Sequence, residues 1–397
     1  MPINTSIKVI TGNESAAVGV TLCRPDVITI YPVTPQTKII EELSKYHYQG
    51  ILKAEMINVE GENSAMNVIT AASLAGARVF TATSSWGLVF MYDALLATAG
   101  LRAPVVMVNV NRESPGIIAV SSGQQDMISI RDSGWIFLVA ENCQEILDMV
   151  IMSYRLAEDY EIQLPVMVHY DGFYLSHLAE RVEIPDQNII DDFLSILKKQ
   201  PERQKLVSGK PIGCGTHGIL EGYLELRYKH HKALEHAKDK FEEIENDFNM
   251  RLCRSYGGTL ENYRLDDAEI VLVASGSACG TIKTVIDQAR ERDINVGLVR
   301  IRMFRPFPAK KLINVLKNKK AVGVIDRSIC FGFNGGSIYI ELMSLARQIG
   351  NMPILSFIGG IANMDINTSH INMIIEKVHA ASKGVLYQEV MWIDINE

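Results

Sequence analysis

Nearly uninterrupted apolar runs of strand length alternate along the chain with longer stretches in which apolar residues recur every three or four positions. DVITIY (26–31), RVFTATS (78–84), APVVMVNV (103–110) and LPVMVHY (164–170) are rich in β-branched residues and lack the in–out alternation of a half-exposed strand, so they predict strands buried on both faces. QTKIIEELSKY (36–46), NSAMNVITAASLAG (63–76) and QEILDMVIMSYRLAED (144–159) fall between them with helical spacing. This rhythm predicts a parallel sheet covered by helices on both sides over residues 1–185. Residues 186–262 read as a connector with a long helix. Pro185, Pro201 and Pro211 punctuate a polar stretch, and the charges of EGYLELRYKHHKALEHAKDKFEEIENDF (221–248) alternate in sign, as in a solvated helix laced by i,i+4 pairs. Strand and helix alternate again over 263–397, with strands at 268–275, 295–301, 321–326 and 353–359 and helices near 279–293, 309–318, 336–349 and 367–383. The expectation is an α/β protein with two sheet-bearing units, and no internal repeat points to a solenoid.

The chain of 397 residues has room for two or three domains at roughly 150 residues each. With 39 Lys and Arg against 46 Asp and Glu, its net charge of −7 has the wrong sign for gripping a phosphodiester backbone, which argues against nucleic acid as partner. No apolar stretch reaches membrane-span length, and the first residues, MPINTSIKVITGNES, do not read as a signal peptide, so a cytoplasmic protein is expected. Six cysteines, at 23, 143, 214, 253, 279 and 330, form no C-x-x-C pair, which speaks against an iron–sulfur cluster or zinc ribbon in this chain and fits reduced thiols. His230-His231 reads as part of the solvated helix face rather than as a metal site.

Neither a P-loop nor a well-placed G-x-G-x-x-G is present. The nearest candidate cradle is Ala274-Ser275-Gly276-Ser277 at a strand end, where the glycine serves either a ligand crevice or only the turn into the next helix. Three other strand ends carry reactive groups. Tyr31-Pro32-Val33-Thr34-Pro35-Gln36-Thr37 is made rigid by two prolines, leaving Thr34 as an available hydroxyl or as a helix cap. Asn58-Val59-Glu60-Gly61-Glu62 enters a helix of small residues, so Glu60 or Glu62 either has a dedicated partner or caps that helix. Arg112, after the 103–110 strand, suits a planar carboxylate ligand or an ion pair with Glu113 or Asp126.

The co-linear set YPVTPQT (31–37), VEGENSAM (59–66), FTATSSWGL (80–88), NVNR (109–112), IRDSGWI (130–136), AEN-x-QE (140–145), LPVMV-x-x-DGF-x-LSH (164–177), VRIRMFRPFP (299–308) and VIDRSICFG (324–332) resembles the alpha subunits of pyruvate:ferredoxin oxidoreductase and, more broadly, of 2-oxoacid:ferredoxin oxidoreductases. The resemblance spans nearly the whole chain. It implies a pyrimidine-type thiamine diphosphate-binding domain (1–185), the connector (186–262) and a transketolase C-terminal-like domain (263–397). It also implies a cofactor, thiamine diphosphate with Mg2+, shared with a beta subunit that carries the G-D-G element absent here. The [4Fe-4S] clusters would lie in partner chains, beta and a ferredoxin-like delta, with a gamma subunit completing the complex.

By the same resemblance Glu62 is the glutamate that bonds N1′ of the aminopyrimidine, with Glu60 in reserve, and Pro32, Val33 and Ser85 line the cofactor. Thr34 and Arg112 bind the oxoacid, the arginine through its carboxylate. The implied reaction takes pyruvate, coenzyme A and oxidised ferredoxin reversibly to acetyl-CoA, carbon dioxide and reduced ferredoxin. The 113–126 segment departs from the family pattern and keeps only Asp126, whose carboxylate either partly neutralises Arg112 or points away. Retention of Thr34 favours pyruvate over oxalate. Branched or aryl 2-oxoacids, a transketolase- or decarboxylase-type thiamine enzyme and a non-catalytic assembly subunit are the alternatives.

Overall fold

The computed structural model describes residues 5–113, 119–200, 205–206, 209 and 222–395, so Pro201, Pro211, Cys214 and part of the 113–126 segment lie outside the described residues. Two large sheets organise the chain. The first has seven strands in the order Met303–Arg305, Ile136–Val139, Val166–Asp171, Val106–Asn111, Val79–Thr83, Val27–Ile30, Glu55–Asn58. Every neighbouring pair is parallel except Met303–Arg305, which runs antiparallel to Ile136–Val139. The four apolar runs predicted as strands form Val27–Ile30 and the three central strands, and the residues of those three strands are buried throughout, as their unbroken apolar character required.

The second sheet has six strands, in the order Val390–Trp392, Ile354–Ile358, Ala321–Asp326, Ile270–Ala274, Val296–Ile301, Leu260–Tyr263, antiparallel only at the last pair. A separate antiparallel ribbon joins Thr5–Thr11 to Ala179–Pro185. The predicted helix over 336–349 is two helices, Ser337–Met343 and Ala346–Ile349; the Ser344 hydroxyl donates back to the Glu341 carbonyl at the break.

The long helix, Tyr223–Leu252, differs from the expectation of a solvated rod. His230, Ala233, Ala237, Phe241, Ile244, Glu245, Phe248 and Leu252 recur every three to four residues and are buried, packing toward the helices Cys143–Glu158 and Gln187–Ser195. His230, read as part of a solvated face, bonds the Gly134 carbonyl at 2.9 Å. Of the charged Asp, Glu, Lys and Arg residues in this helix, only Glu245 joins the buried stripe.

The two sheets are tied by a buried ionic network. Arg300 and Arg302, 1% and 0% exposed, grip Glu145 through bonds of 2.6, 3.0 and 2.7 Å, and Arg302 also pairs with Glu245 of the long helix. Arg300 lies in the strand Val296–Ile301 and Arg302 one residue beyond its end, and both guanidinium groups reach the same carboxylate.

Candidate functional site

Four strands of the first sheet, Glu55–Asn58, Val27–Ile30, Val79–Thr83 and Val106–Asn111, stand side by side and end on one edge. The segments that follow their carboxyl ends carry the Tyr31–Thr37 turn, Glu60, Glu62, Ser85 and Arg112, the place where open α/β sheets form ligand crevices.

The Tyr31–Thr37 turn is anchored from both sides. Asn13 donates to the Pro35 carbonyl at 2.8 Å and is itself oriented by the Tyr170 hydroxyl, while Gln36 donates back to the Tyr31 carbonyl at 2.8 Å. Pro32 and Thr34 are exposed and Val33 is half-buried. Thr34 is not a helix cap: the next helix, Thr37–Tyr48, is preceded by Gln36 and has no side-chain cap.

Arg112 is 8% exposed. Its guanidinium donates to two main-chain carbonyls, Ala119 at 2.8 Å and Thr34 at 3.2 Å, and among the described residues forms no ion pair. Asp126 does not pair with that guanidinium. Its Oδ2 instead accepts the main-chain N–H groups of Arg112 and Ser85, each at 3.2 Å, and the Asn109 amide at 3.0 Å; Oδ1 accepts the Met127 N–H at 2.8 Å. Burial pushes the Asp126 carboxyl up to about 7, against the pull of those donors. Burial also lowers the Arg112 guanidinium, opposed by the nearby Asp126 charge.

Ser85 opens the short helix Ser85–Phe90 with φ 44°, a left-handed conformation that costs a non-glycine residue about 1–2 kcal/mol. It is fully buried, and its hydroxyl donates to the Glu113 carbonyl at 2.6 Å. Two residues on, Gly87 lies against Glu62: a Cβ there would fall 2.5 Å from Glu62 Oε1 and from Thr83 Oγ1. Glu62 begins the helix Glu62–Leu74 and is half-buried, whereas Glu60 is exposed and accepts the Ser64 hydroxyl at 2.6 Å. Trp86 and Phe90, 49% and 63% exposed, leave apolar surface on the same short helix.

The structure therefore joins Arg112 to Thr34 through a backbone carbonyl, Arg112 to Ser85 through Asp126, and Glu62 to the Ser85 helix through Gly87. Sequence reasoning overlooked Asn13, Asn109, Gly87 and Asp171. The last three sit inside motifs, NVNR, SSWG and DGF, that marked them only as a group. The Ala274–Ser277 turn is closed by Asp171, whose Oδ2 accepts the Ser277 N–H at 2.8 Å and its hydroxyl at 2.6 Å and pairs with Arg327 at 2.9 Å. Gly276, at φ +79°, has Asp171 Oδ2 only 2.7 Å from where a Cβ would stand, so this turn is a clasp between the sheets and not a cradle.

These groups fit a thiamine-type aminopyrimidine. A half-buried carboxylate can hold a ring nitrogen, the glycine beside it keeps side-chain bulk away, and the buried Thr83 hydroxyl next to both has no hydrogen-bond partner among the described residues. No group of three or more His, Cys, Asp or Glu among the described residues could hold a metal ion, and no described helix is long and apolar enough to cross a membrane.

The family profile described as pyruvate flavodoxin/ferredoxin oxidoreductase, thiamine diphosphate-binding, matches residues 18–246, and that of pyruvate:ferredoxin oxidoreductase core domain II matches 268–371. The chain is 41% identical to pyruvate synthase subunit PorA of Methanothermobacter thermautotrophicus, covering 98% of this chain and 99% of that one. It is 38% identical to the alpha subunit of NADH-dependent phenylglyoxylate dehydrogenase of Aromatoleum evansii, covering 96% and 94%. Among solved structures, 2-oxoglutarate:ferredoxin oxidoreductase from Magnetococcus marinus superposes with a TM-score of 0.70 at 18% identity over 96% of this chain and 66% of that one. A split-gene transketolase superposes at 0.54 with 11% identity, over 94% and 100%. At such identities these two speak to the fold alone. The chain belongs to the pyruvate flavodoxin/ferredoxin oxidoreductase family and carries that family's thiamine diphosphate-binding domain.

Proposed function

We propose that this chain is the alpha subunit of a pyruvate:ferredoxin oxidoreductase and supplies the oxoacid and aminopyrimidine contacts of its active site. The observation that carries the reading is the Arg112 guanidinium: nearly buried, held by neutral carbonyls, and without a carboxylate among the described residues. A cation kept in that state favours an anionic ligand, and its planar fork matches a carboxylate. Thr34, exposed and bonded to Arg112 through its carbonyl, is assigned the polar end of the same substrate.

In this reading thiamine diphosphate supplies a nucleophilic carbon for the 2-oxo group and a sink for the electrons left by decarboxylation. Glu62 holds the ring nitrogen that tunes the cofactor's proton transfers. Pro32 and Val33 line the cofactor, and Ser85 contributes through the turn it opens. Arg112 binds and orients the oxoacid carboxylate, and the ion pair is lost when carbon dioxide leaves, so product is held less tightly than substrate. Mg2+ and the diphosphate contacts are assigned to a beta subunit, the [4Fe-4S] clusters to beta and a ferredoxin-like delta, and a gamma subunit completes a cytoplasmic complex. We keep 1–185, 186–262 and 263–397 as the functional units, with Met303–Arg305 lending a strand to the first.

A second reading, an aryl 2-oxoacid as substrate, is favoured by the phenylglyoxylate-dehydrogenase relative, only slightly less identical than the pyruvate synthase one. The deciding experiment is an anaerobic assay of the copurified complex, following viologen or ferredoxin reduction with coenzyme A and a panel of pyruvate, phenylglyoxylate, 2-oxoisovalerate, 2-oxoglutarate, indolepyruvate and oxalate. The highest kcat/KM with pyruvate upholds the proposal. Preference for another acid moves specificity to the 113–126 segment, and no turnover at all leaves a non-catalytic assembly subunit.

A further inference from the structure

Asp126 is fully buried and has no cation paired with it among the described residues, yet it collects four N–H donors. Burying a carboxyl is costly unless hydrogen bonds compensate, and here those bonds reach the backbones of two separate loops. Two of the donors are the main-chain N–H groups of Arg112 and Ser85, which follow adjacent parallel strands, Val106–Asn111 and Val79–Thr83. A third, Asn109, is also bonded to Asn111 Oδ1 at 2.8 Å, which steadies the end of the strand that delivers Arg112. We propose that Asp126 is a positioning residue that indexes the oxoacid arginine and the aminopyrimidine turn to each other through their backbones. The proposal rests on the roles assigned above to Arg112 and Glu62.

The link to the cofactor side runs through geometry already described. Ser85 is held in a left-handed conformation by its N–H to Asp126 and its hydroxyl to the Glu113 carbonyl, and the turn it opens presents Gly87 to Glu62. The link to the rest of the molecule runs the other way. Asp126 sits in the short helix Gln125–Ser129, and the second sheet's loops grip its start: Gln124 N–H donates to the Arg327 carbonyl at 3.0 Å, and the Ile329 N–H donates to Gln125 Oε1 at 2.9 Å. The C-terminal half thus sets the position of a carboxylate that in turn sets two loops of the first sheet. A site spread over loops is accurate only if something fixes them to one another, and here one side chain does so.

The test uses the assembled complex. Asp126→Ala removes both acceptor oxygens, so the two loops lose their common anchor. The expected result is a rise of roughly tenfold or more in KM for the oxoacid turned over fastest. The apparent Kd for thiamine diphosphate, read in cofactor-free complex by tryptophan fluorescence, should rise as well, since Trp86 adjoins Ser85. A variant that melts earlier but keeps both constants overturns the proposal, because a merely structural carboxylate would act that way. Should D126A fail to assemble, Ser85→Gly is combined with it, since glycine adopts the left-handed turn without strain. The double variant is then expected to assemble and to regain thiamine diphosphate affinity while KM stays high; no recovery overturns the proposal. Arg112→Ala measured alongside separates the two readings. If it leaves KM unchanged, the oxoacid role of Arg112 fails, and the thiamine diphosphate arm still decides for or against Asp126.

Discussion

The Arg112 guanidinium donates to the main-chain carbonyl of Thr34 at 3.2 Å, across 78 residues of chain and across the end of the intervening strand Val79–Thr83. This contact joins two separate strand-end loops through the threonine's backbone, and the Thr34 hydroxyl takes no part in it.

Removing that guanidinium tests the oxoacid assignment directly. Arg112→Ala should raise the oxoacid KM by roughly 10- to 100-fold, the loss of about 1.5–3 kcal/mol of charge-assisted bonding. Arg112→Lys should recover only part of it, because an ammonium cannot serve two carbonyls and a carboxylate in one plane. Steady-state kinetics of the complex decides, and an unchanged KM in the alanine variant would falsify the assignment.

Glu62→Gln keeps the volume and removes the charge beside Gly87. If Glu62 governs proton transfer on the aminopyrimidine, kcat should drop by roughly 10²–10⁴-fold with little change in oxoacid KM. Near-normal turnover of the variant complex would refute the role, and Glu60→Gln, an exposed site bonded to Ser64, serves as the parallel variant for the reserve assignment.

Gly87→Ala probes the same carboxylate from the other side. Its methyl would meet Glu62 Oε1 and Thr83 Oγ1 at 2.5 Å, so one of them must move. Overpacking of this kind costs about 1–3 kcal/mol of stability, and displacement of Glu62 should lower kcat and thiamine diphosphate affinity together. Gly100→Ala, where a Cβ meets nothing within 4 Å, is the matched substitution expected to leave both unchanged.

The network between the sheets predicts an acid-dependent loss of stability. Burial works against ionisation of Glu145, but the facing charges and hydrogen bonds of Arg300 and Arg302 outweigh it and hold the carboxyl at about 2, below its ordinary 4.5. A carboxyl depressed on folding adds stability that is fully present above pH 4.5 and is lost as pH falls toward about 2. Glu145→Gln should cost about 3–5 kcal/mol at neutral pH, since it leaves two buried guanidinium groups short of an anion. Thermal melting of parent and variant against pH checks this: the gap between the two Tm curves should narrow as pH drops through that window, and a constant gap would sink the account.

Much of the fold was legible because burial on both faces leaves a local trace. The runs at 78–84, 103–110 and 164–170 could be read as central strands, since burial on both faces keeps them almost continuously apolar. Short or edge strands leave no such trace. Glu55–Asn58 is four residues with exposed ends, and Met303–Arg305 is three residues lent to a sheet built mainly from the first half of the chain. In the long helix, alternating charge masked a buried stripe of mostly small and aromatic residues, and His230 went with the charges although it is buried.

The candidate site divides along the same line. The segments at 31–37, 59–66 and 109–112 pointed to Thr34, to Glu60 or Glu62, and to Arg112 as chemistry-bearing residues at strand ends, because turn geometry and residue type are encoded within a few neighbouring positions; the choice of Glu62 came from the family resemblance. That Asp126 serves the backbone of Arg112 and Ser85 instead of neutralising the guanidinium, that Asp171 fills the Ala274–Ser277 turn, and that Gly87 bears on Glu62 are consequences of strand order and of how the two sheets meet. Hydrogen bonds and close approaches between segments dozens of residues apart depend on distances that only the folded chain sets, and periodicity along a sequence carries no record of them.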